Sequence, residues 1–188
     1  MFLDDAELKT ESWRLRHSHA AIQTLGAWRW IGVQRHALKI LDICRHGPVI
    51  DFGGADGPLG LGSVVVDLKA AYRTLDEVPG HAAAVFTSHT LEHSEDLYGT
   101  INAIADKLVP RGWLICHVPA WTCTRWQAGS YANANQETPH RHTFALIGDD
   151  VEADNLTCID SVLSERFELS VCEHCGDNSL MLIGRKRD

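Results

Sequence analysis

Val49-Ile50-Asp51-Phe52-Gly53-Gly54-Ala55-Asp56-Gly57 is a short apolar run that breaks into a cluster of small residues. The run has the length of a buried strand, and the glycines mark a special turn after it. A side chain in such a turn would obstruct both the bend and any ligand approaching the backbone. Ten residues beyond Gly57, Val64-Val65-Val66-Asp67 ends a second apolar run on a carboxylate. At the mouth of a nucleoside-binding α/β sheet, an acid in that place accepts hydrogen bonds from ribose hydroxyls. Either feature alone is equally well a glycine-rich loop or a solvent-facing Asp. Their order, strand, glycine turn, strand, acid, favours a nucleoside site.

Two more runs, Ala82 to Thr87 and Trp113 to Val118, have strand character, and their near-continuous hydrophobicity predicts a sheet covered on both faces. Ser94, Glu95 and Asp96 offer a cap and an acidic first turn to a helix whose apolar face is Leu97, Ile101, Ile104, Ala105 and Leu108. Pro110 and Gly112 are expected to end it, giving a right-handed βαβ unit. Upstream, residues 1–45 lack strand alternation and carry apolar residues at helical spacing, which predicts a helical layer broken near Gly26 or Gly32. Downstream, a helix is expected from about Asp150 to Leu163. Two strands, Phe167 to Cys172 and Leu180 to Gly184, should then close an antiparallel edge.

With 188 residues, 45% of them hydrophobic, the chain fits one domain, comprising the layer 1–45 and an α/β core 46–188. Its first residues carry acids where a signal peptide has basic residues, and no apolar run approaches membrane-spanning length. The expectation is therefore a cytoplasmic protein with no membrane partner. The six cysteines then read as reduced. A net charge of −8 argues against a nucleic-acid partner and leaves a small-molecule acceptor, with room for a homo-oligomer.

The glycine turn, the acid after it and the block Val85-Phe86-Thr87-Ser88-His89-Thr90-Leu91-Glu92-His93 together resemble the class I S-adenosylmethionine-dependent methyltransferases. The likeness is closest to the broad group with a Leu-Glu-His signature after the family's fourth strand, and Leu108-Val109-Pro110-Arg111-Gly112 resembles its turn into the fifth. The resemblance runs from about Val49 to Pro119. It implies a compact Rossmann-like α/β fold, mostly parallel with an antiparallel C-terminal edge, and S-adenosylmethionine as cofactor. It also implies that Asp51, Gly53, Gly54, Ala55 and Gly57 lie against the methionine portion, and that Asp67 takes the ribose hydroxyls. Asp76 would meet the adenine, and Ser88 and His89 would flank the sulfonium. Ala55 departs from the glycine commoner there. A larger departure is the shortened stretch between the first and fourth strands, where Pro58-Leu59-Gly60-Leu61-Gly62 has room only for a loop and the third strand is reduced to a vestige.

Methyl transfer needs alignment first, and a base only if the acceptor must lose a proton. His89, His117 and His142 are the candidate bases, in that order. Trp121, Trp126 and Tyr131, with Trp13 or Trp28, could wall an acceptor site or simply pack in the core. His89-Thr90-Leu91-Glu92-His93 also matches the H-x-x-E-H pattern of zinc peptidases, which needs a helix that this position should lack. A divalent ion on His89, Glu92 and His93 with His140 or His142 is a further reading, as is half a zinc site at Cys172 and Cys175. Against both stands plain hydrogen bonding and packing, and no metal is assigned. Three functions follow from these residues: a small-molecule methyltransferase as the leading one, a non-catalytic binding or scaffold protein on a degenerate copy of the fold, and a metal-assisted RNA methyltransferase.

Overall fold

The computed structural model describes residues 26–128, 130, 138–153 and 155–188. Among the described residues, eight strands form a six-stranded sheet and a small two-stranded one. The large sheet comprises β1 (Val49–Phe52), β2 (Val64–Val66), β3 (Ala82–Ser88), β4 (Leu108–Pro119), β7 (Phe167–His174) and β8 (Ser179–Lys186), in the order β2-β1-β3-β4-β8-β7. Pairing is parallel from β2 through β4 and antiparallel from β4 through β8 to β7. β5 (Thr143–Ala145) and β6 (Leu156–Cys158) pair in parallel beside it.

Both faces of the sheet are covered, so its central strands alternate between two cores rather than between core and water. Val85, Leu114, Cys116, Leu180 and Leu182 point to one side, against α3 (Leu97–Lys107) and α4 (Ile159–Ser164). Ala84, Phe86, Ile115, Met181 and Ile183 point to the other, against α1 (Ile31–Arg35) and α2 (Ala37–Cys44). The helices α1 and α2 thus supply cover that the shortened connection from β1 to β2 does not. A 3-10 turn, Gly26–Arg29, presses that layer onto the loop: Ala27 N donates to Pro58 O at 3.2 Å and Trp28 Nε1 to Leu59 O at 2.8 Å. Trp28 is buried, so it is a packing residue and not the acceptor wall considered from the sequence.

Several boundaries differ from expectation. The helix before β4 stops at Lys107, and the Pro110-Arg111-Gly112 segment becomes part of β4 as a bulge. Ala82 pairs with Leu108 and Ala84 with Trp113, with Arg111 at φ 58° between them. The helix expected from Asp150 begins only at Ile159, after β6. Within the described part of the N-terminal layer the break falls at His36, and Gly32 lies inside α1. Beyond β2 the third strand survives as a single bridge between Val66 and Tyr72. Among the described residues no helix is long and apolar enough to cross a membrane.

Candidate functional site

The chain passes outward from β1 to β2 and then crosses back to β3 on the far side of β1. Such a reversal opens a crevice at the carboxyl ends of the strands. A cavity of about 380 Å³ lies there, lined by Phe52, Gly53, Val66, Asp67, His89 and Thr90, with Asp56, Leu68, Lys69, Arg73, His93 and Thr138 around them. Its volume falls in the range of small-molecule sites.

Gly53 has φ 83°, and a Cβ there would lie 1.9 Å from Thr90 Oγ1. Thr90 is held over it, its hydroxyl donating to Ser88 O at 3.2 Å or Phe52 O at 3.3 Å. Gly54 is fixed for another reason. Its Cβ would meet the Asp51 carboxyl carbon at 2.4 Å, because Asp51 turns inward and accepts from Leu59 N at 2.6 Å. Burial, offset by that bond and reinforced by the charge of Asp67, pushes the Asp51 carboxyl up to about 6. Asp51 therefore braces the turn from beneath and does not line the cavity. Gly57 packs near Gly26 and Arg29, also outside the cavity.

Asp67 stands at the end of β2 with its carboxylate on the cavity wall. Oδ2 accepts from Ala55 N at 3.4 Å and Oδ1 from Lys69 N at 3.0 Å, so the glycine turn and the acid are joined directly. Asp76 is exposed on a 3-10 turn, Leu75–Glu77, and does not line the cavity. The apolar surface beside Asp67 is instead Leu68, 79% exposed although it is a leucine.

Of the three candidate bases, only His89 reaches the cavity. It has φ 53° and stacks on Trp30 at 4.3 Å between ring centroids. His117 is fully buried in a relay. Ser179 donates to Asp177, so its oxygen accepts from His117 Nε2 at 2.8 Å. His117 Nδ1 is then left to accept from Ser88 Oγ at 2.9 Å. Gly32 N donates to the other Asp177 oxygen at 3.2 Å. Burial, with the neighbouring His89 charge, lowers His117 to about 3. It is a neutral structural group, and the Ser88 hydroxyl is spent on it. His142 stacks on Phe144 and uses both ring nitrogens, Nε2 donating to Ser94 O at 3.0 Å and Nδ1 meeting Thr157 Oγ1 at 3.4 Å. Neither His117 nor His142 lines the cavity.

The Leu-Glu-His block forms a 3-10 turn, Leu91–His93, not the α-helix a peptidase would require. Leu91 enters the core, and Glu92 is fully buried beneath the turn. His89 Nδ1, His140 Nε2 and His93 Nε2 stand 3.5, 3.9 and 4.0 Å from Glu92 Oε1. The backbone seals the group, Arg141 N donating to Glu92 O at 2.6 Å. Elsewhere, Cys172 is exposed and Cys175 buried against Gly32. Trp121 donates from Nε1 to Asp149 Oδ2 at 3.0 Å. Trp13, Tyr131 and the Trp126 side chain lie outside the described residues.

Thr90, Leu68, Lys69, Arg73 and Trp30 were not singled out from the sequence. Thr90 sat inside the quoted block and Leu68 directly after the predicted acid, which were the available signals.

In sequence the chain matches no family model and no curated protein. In structure it is similar to a chain of the complex between the Haloferax volcanii Trm112 methyltransferase activator and a methyltransferase. That match has 10% identity and a TM-score of 0.56 over 94% of this chain and 97% of the other. An S-adenosylmethionine-dependent methyltransferase from Mesorhizobium loti aligns at 12% identity and TM-score 0.53, over 82% of this chain and 98% of that one. The N-methyltransferase NodS from Bradyrhizobium japonicum, solved with S-adenosyl-L-homocysteine, aligns at 13% identity and TM-score 0.51, over 100% and 95%. The chain therefore has the Rossmann-like fold of the class I S-adenosylmethionine-dependent methyltransferases.

Proposed function

We propose that the chain binds S-adenosylmethionine in the cavity at the ends of β1, β2 and β3 and transfers its methyl group to a small-molecule acceptor. The observation that carries this reading is the meeting of the Gly53 turn, the Asp67 carboxylate and the His89 ring around one crevice at the sheet's reversal point. The residues fit the cofactor. Gly53 and Thr90 line the cavity where its amino-acid end would lie, Asp67 keeps acceptor capacity for two ribose hydroxyls, and Leu68 offers an apolar face for the base. The cofactor supplies an electrophilic methyl on a sulfonium. The chain's contribution is to align the two reactants and exclude water. His89, held by stacking on Trp30, lines the cavity and is the histidine that could take a proton from an acceptor there. A net charge of −8 supports a small acceptor over a polyanion.

Calorimetric titration with S-adenosylhomocysteine tests the reading. Saturable binding is expected, and Asp67→Ala should weaken it by about 1.5–3 kcal/mol through lost charged hydrogen bonds. Absence of binding to the unaltered chain would favour a scaffold protein on the same fold.

A further inference from the structure

Glu92 is a fully buried carboxylate, and neither of its oxygens has a hydrogen-bond partner among the described residues. A buried charge left in that state costs several kcal/mol unless something compensates it. The histidine contacts at 3.5 to 4.0 Å are too long to be hydrogen bonds. They are close, however, to the spacing of about 3.4 Å between donors that share a tetrahedral ion through 2.0–2.1 Å bonds. One oxygen of Glu92 and one ring nitrogen each of His93 and His140 all lie within 4.8 Å of one another.

The histidine rings are also set as ligands are set. His93 Nδ1 donates to Pro139 O at 3.3 Å, which fixes the tautomer and leaves the lone pair of Nε2 turned toward Glu92. His140 meets His93 edge-on, with ring centroids 4.7 Å apart, and its Nε2 faces the same carboxylate oxygen. His142, the alternative considered from the sequence, is held away by Ser94 and Thr157.

We propose that Glu92, His93 and His140 bind a divalent transition-metal ion, zinc or one of similar softness, at the wall of the cavity. Two imidazoles and one carboxylate suit zinc or iron(II), whereas magnesium prefers oxygen donors throughout. Three protein ligands leave a position open, as in catalytic rather than structural sites. His93 also lines the cavity, so an ion on this triad borders whatever occupies it. His89 Nδ1 lies 3.5 Å from the same carboxylate oxygen. The site stands on its own residues and does not depend on the methyl-donor reading.

The test uses the full chain, stripped with chelator and titrated with zinc chloride by calorimetry, with cobalt(II) as a spectroscopic probe. Saturable binding of one ion is expected, with a visible cobalt ligand-field band and no competition from a large excess of magnesium. Glu92→Gln and, on a separate segment, His140→Ala should each weaken zinc by at least about tenfold, while thermal melts confirm that both fold. The double variant Cys172→Ser, Cys175→Ser should bind as the unaltered chain does. No saturable zinc binding, affinity in the Glu92 or His140 variant unchanged from the unaltered chain, or loss of binding in the cysteine variant would overturn the proposal. Titration of the stripped chain with S-adenosylhomocysteine reads the methyl-donor site separately.

Discussion

Gly53 and Gly54 look interchangeable in the sequence but are constrained from opposite sides. At Gly53 both the positive φ and the Thr90 hydroxyl exclude a side chain. Gly53→Ala should destabilise the fold by about 1–3 kcal/mol in urea denaturation and weaken S-adenosylhomocysteine binding as well. At Gly54 the obstacle is Asp51, whose carboxyl titrates near 6 in the folded chain. A raised acid favours folding while it stays protonated, and that contribution disappears as pH rises from about 4 through 6. His117 acts in the opposite sense. Its value is lowered to about 3, so its contribution is present above 6.5 and declines as pH falls below that. Each group supplies at most about 1.4 kcal/mol per pH unit within its window. Between pH 7 and pH 5, Asp51→Asn should therefore lose more stability than the unaltered chain, and His117→Gln less. Urea titrations at the two pH values would read both differences, and identical slopes in all three proteins would refute the assignments.

At the scale of elements, α3 begins directly after the Ser94-Glu95-Asp96 signal, but Asp96 is the cap and its first turn holds no acid. Asp96 Oδ1 accepts from Gly99 N at 2.8 Å, and Asp96→Ala should cost about 1 kcal/mol in the same denaturation assay. Its end was misjudged because Pro110 and Gly112 carry a turn signal that a bulge satisfies equally well. The 150–163 segment illustrates a different limit. Its apolar positions at Ile159, Val162 and Leu163 are real helix contacts, but Leu156–Cys158 pairs with β5, thirteen residues earlier. Tertiary pairing of this kind leaves no local mark. Asp67 and Gly53 could be read locally, because each ends or follows a strand. The fates of His117 and His142 could not. Those rest on Ser88, Ser179, Ser94 and Thr157, distant hydroxyl and carbonyl partners brought close only by folding.

At the scale of the molecule, the alternation of two hydrophobic patterns on each central strand made the three-layer arrangement legible, and the short β1–β2 connection foretold the reduced third strand. Less legible was how the fold covers the exposed face. The helices α1 and α2 lie across it, and Ala27 and Trp28 before them clamp the glycine loop. Ligand binding to the folded chain alone should stabilise it by about 2.7 kcal/mol at a hundredfold excess over Kd, visible as a raised melting temperature with S-adenosylhomocysteine. The sharpest test is a double-mutant cycle pairing Asp67→Ala with an S-adenosylhomocysteine analogue that lacks the ribose hydroxyls. If Asp67 holds those hydroxyls, the two changes are coupled by about 1.5–3 kcal/mol. Additive losses, with coupling near zero, would contradict the account.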